Sequence, residues 1–315
     1  MTRARWAVFA YHTFGARALG ALLARDEEVA AVVTHPDDPA EANWFESVAG
    51  IARAHGLPCL TPSSPNLPEV VDTLRGLAPD LILSVWYRRL LGPELLGLPR
   101  VAALNLHGSL LPAYRGRAPL NWVLVNGERR TGVTLHHMTV AADAGDIVAQ
   151  QPIDIEPDDT AFTLYERMVK VGVELLLETY PAVLAGTAPR IPQDHARATS
   201  VPRRRPEDGR VEWAWPATRI SNMIRAVTHP FPGAFVGDGS ERLRLWVGSA
   251  LSREANGAAP GTLLEIAPSR GITVATGEGT LRLVRVQSAS GIEEPADAWA
   301  VRRGLRPGMR LAEGA

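Results

Sequence analysis

The chain has 315 residues, 46% of which are hydrophobic, and a formal net charge of −1. This length and composition predict a globular protein with two domains or one large one, and the nearly balanced charge disfavours a protein-wide electrostatic field for nucleic acid. The single cysteine, Cys59, excludes an internal disulfide framework and indicates a reducing compartment.

The N-terminal half alternates predicted strands and helices. A strand at 6–10, a helix at 15–25 and a strand at 29–34 form a β-α-β opening, which predicts a parallel sheet with helices on its faces. Further helices are predicted at 47–55, 68–77 and 93–98, and further strands at 57–60, 81–86 and 101–104. The first turn, at 11–15, lacks the Gly-x-Gly-x-x-Gly fingerprint of dinucleotide sites, which disfavours a cofactor of the nicotinamide type.

The second half changes to short alternating strands. Strands are predicted to begin at Gly132 and near Ile147, followed by a helix at 160–180 and a proline-rich stretch with three consecutive arginines. After a helix at 217–227, short strands separated by Gly and Pro turns predict a small barrel or sandwich. We therefore predict an N-terminal α/β domain at 1–190, a linker at 191–207 and a C-terminal β domain at 208–315.

The sequence carries no targeting or membrane signal. The start of the chain has no signal-peptide core, and no apolar run is long enough to span a bilayer. We expect a cytoplasmic protein that does not enter a membrane. Cys59 follows Leu57 and Pro58 in an apolar run, which predicts a buried and unreactive thiol. No set of Cys and His has the spacing of a zinc site, so no metal is expected.

Chemistry is predicted where an apolar strand ends. Asn105 and His107 follow the apolar run 101–104 with one residue between them, so both side chains lie on one face of the strand. The chain then enters a loop rich in Gly, Pro and Arg, and open α/β sheets place their sites at such strand ends. A third polar residue, Asp143, follows the strand that begins at Gly132.

These three residues suit acyl transfer through a tetrahedral intermediate. An imidazole such as that of His107 donates or accepts a proton near neutral pH. A carboxylate such as that of Asp143 orients the imidazole and favours its charged form, and the amide of Asn105 is a neutral donor for a developing oxyanion. Ser109 has no Gly-x-Ser-x-Gly elbow around it, which favours direct transfer without an acyl-enzyme.

His136 and His137 form a pair on the strand that begins at Gly132. Adjacent residues on a strand point to opposite faces, so the two imidazoles cannot easily share one metal ion. A structural role is predicted for both.

Several motifs together closely resemble the signature of folate-dependent formyltransferases, a family that includes methionyl-tRNA formyltransferases and sugar N-formyltransferases. They are the run Asn-Leu-His-Gly-Ser-Leu-Leu-Pro from Asn105 to Pro112, then Tyr114-Arg115-Gly116, Pro119 and Trp122, and the Asp143-x-Gly145 step. The closest resemblance is to the formyltransferase half of the bifunctional enzymes that formylate UDP-4-amino-4-deoxy-L-arabinose. It rests on 8–12, 108–127, 142–145 and 230–235.

The resemblance implies a Rossmann-like formyltransferase N-terminal domain, a C-terminal β-barrel similar to an OB fold, and 10-formyltetrahydrofolate as co-substrate. It implies that an amine attacks the formyl carbon, that Asn105 and protonated His107 hold the oxyanion, and that Asp143 keeps His107 charged. The positions that it assigns to the folate site are Arg89, Leu90, Leu91, Arg117, Thr139, Val140, Ala141 and Ala142.

The acceptor that the resemblance favours is a UDP-linked amino sugar, in the context of lipid A modification. A methionyl-tRNA acceptor would need basic surface, whereas the loop at 36–45 carries three acids and no Lys or Arg, so no tRNA partner is expected. A dTDP-linked sugar and hydrolysis with water as acceptor stay open, whereas the intact Asn105, His107 and Asp143 disfavour a non-catalytic binding role. The run Arg203-Arg204-Arg205 is interpreted either as a solvated linker or as a grip on the diphosphate.

Overall fold

The computed structural model describes residues 3–37, 44–251 and 254–311. Within these ranges the chain divides into two compact units. The first contains the chain up to Pro119 together with Arg130–Asp154 and Tyr165–Pro202, and the second contains Leu120–Arg129, Ile155–Leu164 and the chain from Arg203 onward. The sequence-based division into 1–190, 191–207 and 208–315 stays a prediction about how the domains follow one another along the chain.

Strands and helices alternate through the first unit, and short strands dominate the end of the chain. The strands are β1 Arg5–Ala10, β2 Glu28–Val33, β3 Cys59–Leu60, β4 Leu81–Val85, β5 Ala102–His107, β6 Arg115–Gly116, β7 Arg130–His137, β8 Ile147–Asp154, β9 Ser200–Val201, β10 Ala234–Val236, β11 Leu243–Leu251, β12 Leu263–Ala267, β13 Gly271–Ala275, β14 Thr280–Ser288 and β15 Glu294–Pro295. The helices are α1 His12–Ala24, α2 Val48–Ala54, α3 Pro68–Leu77, α4 Pro93–Leu96, α5 Pro119–Val125, α6 Ala161–Leu184, α7 Ala217–Val227 and α8 Ala296–Arg302.

The first unit is built on a seven-stranded sheet in the order β3-β2-β1-β4-β5-β7-β8. The first five strands of this order pair in parallel, whereas β7 and β8 pair antiparallel. The chain moves from β1 outward to β2 and β3, and then from β4 to β5 in the other direction. Open α/β sheets bind ligands at the carboxyl ends of strands where the order reverses in this way. The predicted α/β class is confirmed, and the two antiparallel strands complete one side of the sheet.

The central strands form the core of this unit. Trp6 and Phe9 of β1 and Leu83 of β4 are fully buried. Continuous apolar runs of this kind are typical of parallel strands that are covered on both faces, and burying one such side chain contributes about 1.5–3 kcal/mol. Asn105 and His107 interrupt the apolar run of the neighbouring strand β5, so their polar groups need partners within the sheet.

The second unit contains an antiparallel sheet in the order β10-β11-β14-β13-β12, with β15 paired to β14. Helix α7 lies against β11. It buries Ile220, Met223, Ile224 and Val227, which recur at the spacing of one helix face. The predicted all-β character of the C-terminal part is confirmed, and α7 begins and ends at the residues that the sequence predicts.

The arginine run that precedes this sheet is not uniformly solvated. The guanidinium carbon of Arg204 lies 4.7 Å from the ring centre of Trp122, and its Nη2 donates to the carbonyl oxygen of Asp208 at 2.6 Å. Burial lowers the pKa of Arg204, and the charge of Asp208 opposes this shift. The interpretation as a solvated run is therefore wrong for Arg204. Arg203 and Arg205 are exposed, so any grip on a diphosphate by this run would fall to one of them.

Cys59 is exposed, and the prediction that it is buried is wrong. It lies on the two-residue strand β3, which forms one edge of the seven-stranded sheet. Partial desolvation still raises the pKa of the thiol, although the charge of Arg53 offsets part of this effect. The thiol is therefore protonated at neutral pH, which fits the expectation of an unreactive cysteine.

The acidic loop at 36–45 is described in part, since Asp38 and Glu41 lie outside the described residues. Asp37 accepts a hydrogen bond of 2.5 Å from the hydroxyl of Ser47. The same hydroxyl accepts from the N–H of Gly50 at 2.9 Å and caps the start of α2. Asp37, one of the three acids of this loop, therefore holds the Ser47 side chain that caps α2.

Over the described ranges, none of the helices combines the length and the apolar character that crossing a bilayer requires. In the same ranges, His, Cys, Asp and Glu side chains form no group of three or more that could hold a metal ion.

Candidate active site

β5 carries Asn105 and His107 toward the end of the sheet. The strand pairs with β4, where Ser84 is opposite Asn105, and with β7, where His136 is opposite Asn105. Because one residue separates them, Asn105 and His107 share one face of β5. His107 is 6% exposed and Asn105 is half-buried. Both side chains are therefore oriented by a rigid element.

The carboxylate of Asp143 is the point at which the three predicted catalytic side chains meet. Its Oδ1 lies 3.2 Å from Nδ2 of Asn105 and 3.5 Å from Nδ1 of His107. Its Oδ2 accepts a hydrogen bond of 2.8 Å from the backbone N–H of Gly116. The structure brings Asn105, His107 and Asp143 together, and their catalytic roles stay a prediction.

These contacts keep Asp143 ionised. Burial raises the pKa of its carboxyl, but the charge of His107, the neighbouring ring of His136 and the hydrogen bond from the Gly116 N–H outweigh burial. Together they hold the pKa of Asp143 well below its usual range. An ionised Asp143 can accept the N–H of Asn105 and stabilise a positive charge on His107.

The turn that presents Asp143 depends on its own left-handed backbone and on a glycine. Asp143 has a φ of 52°, a conformation that Asp adopts more readily than most residues. Gly145 leaves no room for a side chain, because a Cβ there would lie 2.0 Å from the carbonyl oxygen of His137. The Asp143-x-Gly145 motif thus has a steric reason in this turn.

His107 is held at both ring nitrogens. Its Nε2 lies 2.9 Å from the carbonyl oxygen of Tyr114. A carbonyl can only accept, so Nε2 carries the hydrogen. Nδ1 then faces Asp143 and, when protonated, points its hydrogen toward the carboxylate. The loop residues Tyr114 and Gly116 therefore contact His107 and Asp143, respectively, through their backbones.

His136 also belongs to this cluster, although only a structural role is predicted for it from the sequence. Its Nδ1–H donates to the carbonyl oxygen of His137 at 2.8 Å, which leaves Nε2 as an acceptor in the neutral ring. That Nε2 lies 3.0 Å from Nδ2 of Asn105 and 3.5 Å from Oδ1 of Asp143. The two amide hydrogens of Asn105 are therefore divided between His136 and Asp143.

Gln193 is a second residue that sequence reasoning missed. It lies inside the predicted linker 191–207, yet its side chain is buried. It donates to the backbone of the Asp143–Gly145 turn and accepts from Arg115. A single glutamine in a proline-rich stretch carries no sequence signal of such a contact.

The positions predicted for the folate site lie after β4, after β6 and after β7. The side chain of Arg117 donates to the carbonyl oxygen of Arg88 at 3.1 Å, which joins the first two of these segments. Leu90 and Val140 are each 63% exposed, a high value for large apolar side chains. The other exposed residues among the positions predicted for the folate site are Arg89, Arg117, Thr139, Ala141 and Ala142.

Two further side chains near these segments point inward. Leu91, a predicted folate position, is buried and belongs to an apolar cluster with Ile82 and Leu95. Only its backbone is thus available to a ligand. Ser109 is buried and its hydroxyl donates to the carbonyl oxygen of Ala113 at 2.7 Å. The hydroxyl stabilises the loop, which fits the expectation that Ser109 is not a nucleophile.

The fold and this cluster define an α/β protein whose site suits acyl transfer. Residues 4–180 match the model of the formyl transferase family, and residues 204–304 match that of the formyl transferase C-terminal domain. The chain belongs to the formyl transferase family.

Solved structures share the fold at low sequence identity. HypX from Aquifex aeolicus, in complex with tetrahydrofolic acid, is 19% identical with a TM-score of 0.64, and the match covers 97% of this chain and 49% of HypX. The chain thus spans about half the length of HypX. An N-formyltransferase from Helicobacter canadensis, in complex with folinic acid and dTDP-3-aminofucose, is 17% identical with a TM-score of 0.67, covering 90% and 99% of the two chains. Methionyl-tRNA formyltransferase from Clostridium thermocellum is 17% identical with a TM-score of 0.56, covering 81% and 95%.

Proposed function

We propose that this chain is an N-formyltransferase that moves a formyl group from 10-formyltetrahydrofolate to the amine of a nucleotide-linked amino sugar. The observation that carries the proposal is the contact of the Asp143 carboxylate with Asn105 and His107, at 3.2 and 3.5 Å. Membership of the formyl transferase family supports the reaction. The structures of HypX with tetrahydrofolic acid and of the Helicobacter canadensis enzyme with folinic acid support folate as the co-substrate.

In the proposed reaction the neutral amine of the sugar attacks the formyl carbon. The new C–N bond forms while the electron pair of the formyl C=O bond moves onto oxygen. Protonated His107 and one N–H of Asn105 stabilise this oxyanion. Collapse of the tetrahedral intermediate then breaks the bond to the folate nitrogen, which leaves with the electron pair and takes a proton. The net proton transfer runs from the amine to that nitrogen.

Asp143 acts on this reaction through charge. The ionised carboxylate beside Nδ1 stabilises a positive charge on His107, and that charge in turn stabilises an oxyanion in the site. Because the pKa of Asp143 is held well below its usual range, its carboxylate retains a proton only briefly. We infer that Asp143 passes on the proton of the attacking amine and does not store it.

We propose UDP-4-amino-4-deoxy-L-arabinose as the acceptor and lipid A modification in the cytoplasm as the context. The support is the sequence resemblance through 108–127 and 230–235. The dTDP-linked sugar of the Helicobacter canadensis structure makes a dTDP-amino sugar the nearest competing acceptor. Methionyl-tRNA is disfavoured by the acids of the loop at 36–45, which would repel a phosphate backbone.

A panel of acceptors tests the proposal. Purified protein is incubated with 10-formyltetrahydrofolate and, in separate reactions, UDP-4-amino-4-deoxy-L-arabinose, dTDP-amino sugars, methionyl-tRNA or no acceptor. Mass spectrometry of the acceptor and absorbance of the folate follow the transfer. We expect a formylated UDP-sugar and no turnover without acceptor, with Asp143→Asn as the inactive control. Formylation of methionyl-tRNA alone, or folate turnover that needs no amine, would overturn the proposal.

A further inference from the structure

One buried side chain joins the Asp143 turn to the loop that faces it. Gln193 is 6% exposed. Its Nε2 lies 2.9 Å from the carbonyl oxygen of Asp143 and 2.6 Å from that of Gly145, so both amide hydrogens are used within one turn. Buried polar groups are costly to leave unpaired. This pair of bonds therefore holds the turn in the conformation that presents Asp143.

The oxygen of the Gln193 amide binds the loop on the other side, through the guanidinium of Arg115. Oε1 of Gln193 lies 3.2 Å from Nε and 2.6 Å from Nη2 of Arg115, so the guanidinium donates through two N–H groups. Hydrogen bonds from a charged donor are stronger than neutral ones. Gln193 is thus fully paired on both sides.

Arg115 occupies a particular place in the loop. It stands between Tyr114, whose carbonyl oxygen accepts from His107, and Gly116, whose N–H donates to Asp143. An anchor on Arg115 therefore restrains both backbone groups that touch the predicted catalytic side chains. Strand β6, formed by Arg115 and Gly116, also pairs with strand β9, formed by Ser200 and Val201. Strand β9 follows Gln193 along the chain.

Resting on the formyl transfer proposed above, we propose that Gln193 is a positioning residue for that reaction. It clamps the Asp143–Gly145 turn to Arg115 and so fixes the Asp143 carboxylate against the Gly116 N–H and the His107 ring. It contacts no reacting atom. A displacement of about 1 Å at a catalytic group can lower the rate on the order of 100-fold. Loss of the clamp therefore lowers kcat more than it raises KM.

The variant that tests this role is Gln193→Glu. It keeps the shape of the side chain and an oxygen for Arg115, but it places a second oxygen against the two carbonyl oxygens of the turn. We expect kcat to fall by about 10–100-fold, with KM for both substrates close to that of the unchanged protein. The unfolding temperature should fall, because two buried carbonyl oxygens lose their donor. Gln193→Met, which removes both the donor and the acceptor, should lower kcat at least as much.

Gln287 supplies the matched control. It makes the same kind of link in the second unit, because its Nε2 donates to the carbonyl oxygen of Gly291 at 3.0 Å and its Oε1 accepts from Trp246 at 2.9 Å. Gln287→Glu should leave kcat unchanged. A loss of kcat in this control that equals the loss in Gln193→Glu would overturn the positioning role.

A second readout is independent of any substrate. The carboxyl ¹³C resonance of Asp143 reports its titration, and release of the turn weakens the Gly116 hydrogen bond that helps to lower the pKa of Asp143. We expect that pKa to rise toward its ordinary range in Gln193→Glu while His107 and His136 still face the carboxylate.

If the unchanged protein formylates no amino sugar, the proposed function fails and this titration still tests the clamp. Unshifted titration, unchanged kcat, or unfolding of both Gln193 variants would overturn the clamp.

Discussion

Nε2 of His136 lies 3.0 Å from Nδ2 of Asn105. This contact fixes the orientation of the Asn105 amide, because a reversed amide would place its oxygen against two acceptors, His136 Nε2 and Asp143 Oδ1. Asp143 is ionised and hence the stronger of the two acceptors. In the proposed reaction, we therefore expect the N–H of Asn105 that points to His136 to be the one that turns toward the oxyanion.

The first prediction concerns this contact. His136→Phe keeps a ring of similar size but removes the acceptor, so one N–H of Asn105 loses its partner in a half-buried site. Loss of such a hydrogen-bond partner lowers the free energy of unfolding by about 1–3 kcal/mol. We expect kcat to fall by about 10-fold or more, because the amide is no longer held in one orientation. Steady-state kinetics and thermal unfolding of the variant measure both effects.

His137→Ala is the control for His136→Phe. It keeps the carbonyl oxygen that accepts from Nδ1 of His136 and removes only a side chain on the other face of β7. We expect its kcat to stay within about twofold of the unchanged protein, a range that fits small surface effects. Equal losses in the two variants would show that the strand as a whole, and not the His136 acceptor, supports activity.

The second prediction concerns the charge of Asp143. Asp143→Asn keeps the shape of the side chain and removes the negative charge that faces His107 at 3.5 Å. We expect kcat/KM to fall by on the order of 100-fold or more, since general acid–base and electrostatic contributions of this kind are typically 10²–10⁴-fold. Circular dichroism should show an intact fold. Near-normal turnover in a folded variant would remove Asp143 from the catalytic group.

The sequence predicts the local features of the fold and of the candidate site better than the features that depend on long-range packing. The positions of Asn105 and His107 on one face follow from the two-residue period of a strand, which is local. Helix α7 is predictable with its observed bounds because its apolar residues recur at helical spacing. The membership of His136 in the cluster is not predictable in this way, because its place opposite Asn105 depends on the register between β5 and β7.

Two other outcomes depend on long-range packing. The composition around Gln193 predicts a linker, because nothing in a proline-rich stretch shows that this residue contacts a turn about 50 residues earlier in the chain. The apolar neighbours of Cys59 predict that its thiol is buried. Its exposure follows from the position of β3 at the edge of the sheet, and strand order cannot be obtained from local composition.

The third prediction concerns pH. The pKa of Asp143 is depressed in the folded protein, so its ionised form stabilises the native state. This contribution is fully present above the unfolded value of about 3.9, and it is lost as the pH falls from there toward the folded pKa. The difference between the unfolding free energies of the unchanged protein and of Asp143→Asn should therefore be present at about pH 5 and shrink as the pH falls below about 4. Urea unfolding at each pH measures this difference. A gap that widens as the pH falls below about 4 would contradict the depressed pKa.

The fourth prediction concerns the exposed apolar residues of the predicted folate segments. Leu90 is 63% exposed, and we expect it to contact the bound folate through apolar surface. Leu90→Ser should raise KM for 10-formyltetrahydrofolate by about 5–50-fold with little change in kcat, since uniform binding affects KM. Ile292→Ser is the control, because Ile292 is 80% exposed and lies in the second unit, outside the predicted folate positions. A higher acceptor KM with an unchanged folate KM would argue against folate contact at Leu90.

The fifth prediction concerns Gly145. A Cβ at this position would lie 2.0 Å from the carbonyl oxygen of His137, so Gly145→Ala forces the turn and Asp143 to move. Overpacking of this kind lowers the free energy of unfolding by about 1–3 kcal/mol. We expect a lower unfolding temperature together with a loss of kcat of about 10-fold or more, because a small displacement of a catalytic group lowers the rate steeply.

Gly20→Ala provides the opposite case for comparison. Gly20 lies inside α1, and a Cβ there would meet nothing within 4 Å. Alanine in a helix interior is favoured over glycine by about 0.5–1 kcal/mol, so this variant should unfold at a slightly higher temperature and keep its kcat. If Gly145→Ala kept both its stability and its kcat, the turn would have room for a side chain, and the steric account of the Asp143-x-Gly145 motif would be wrong.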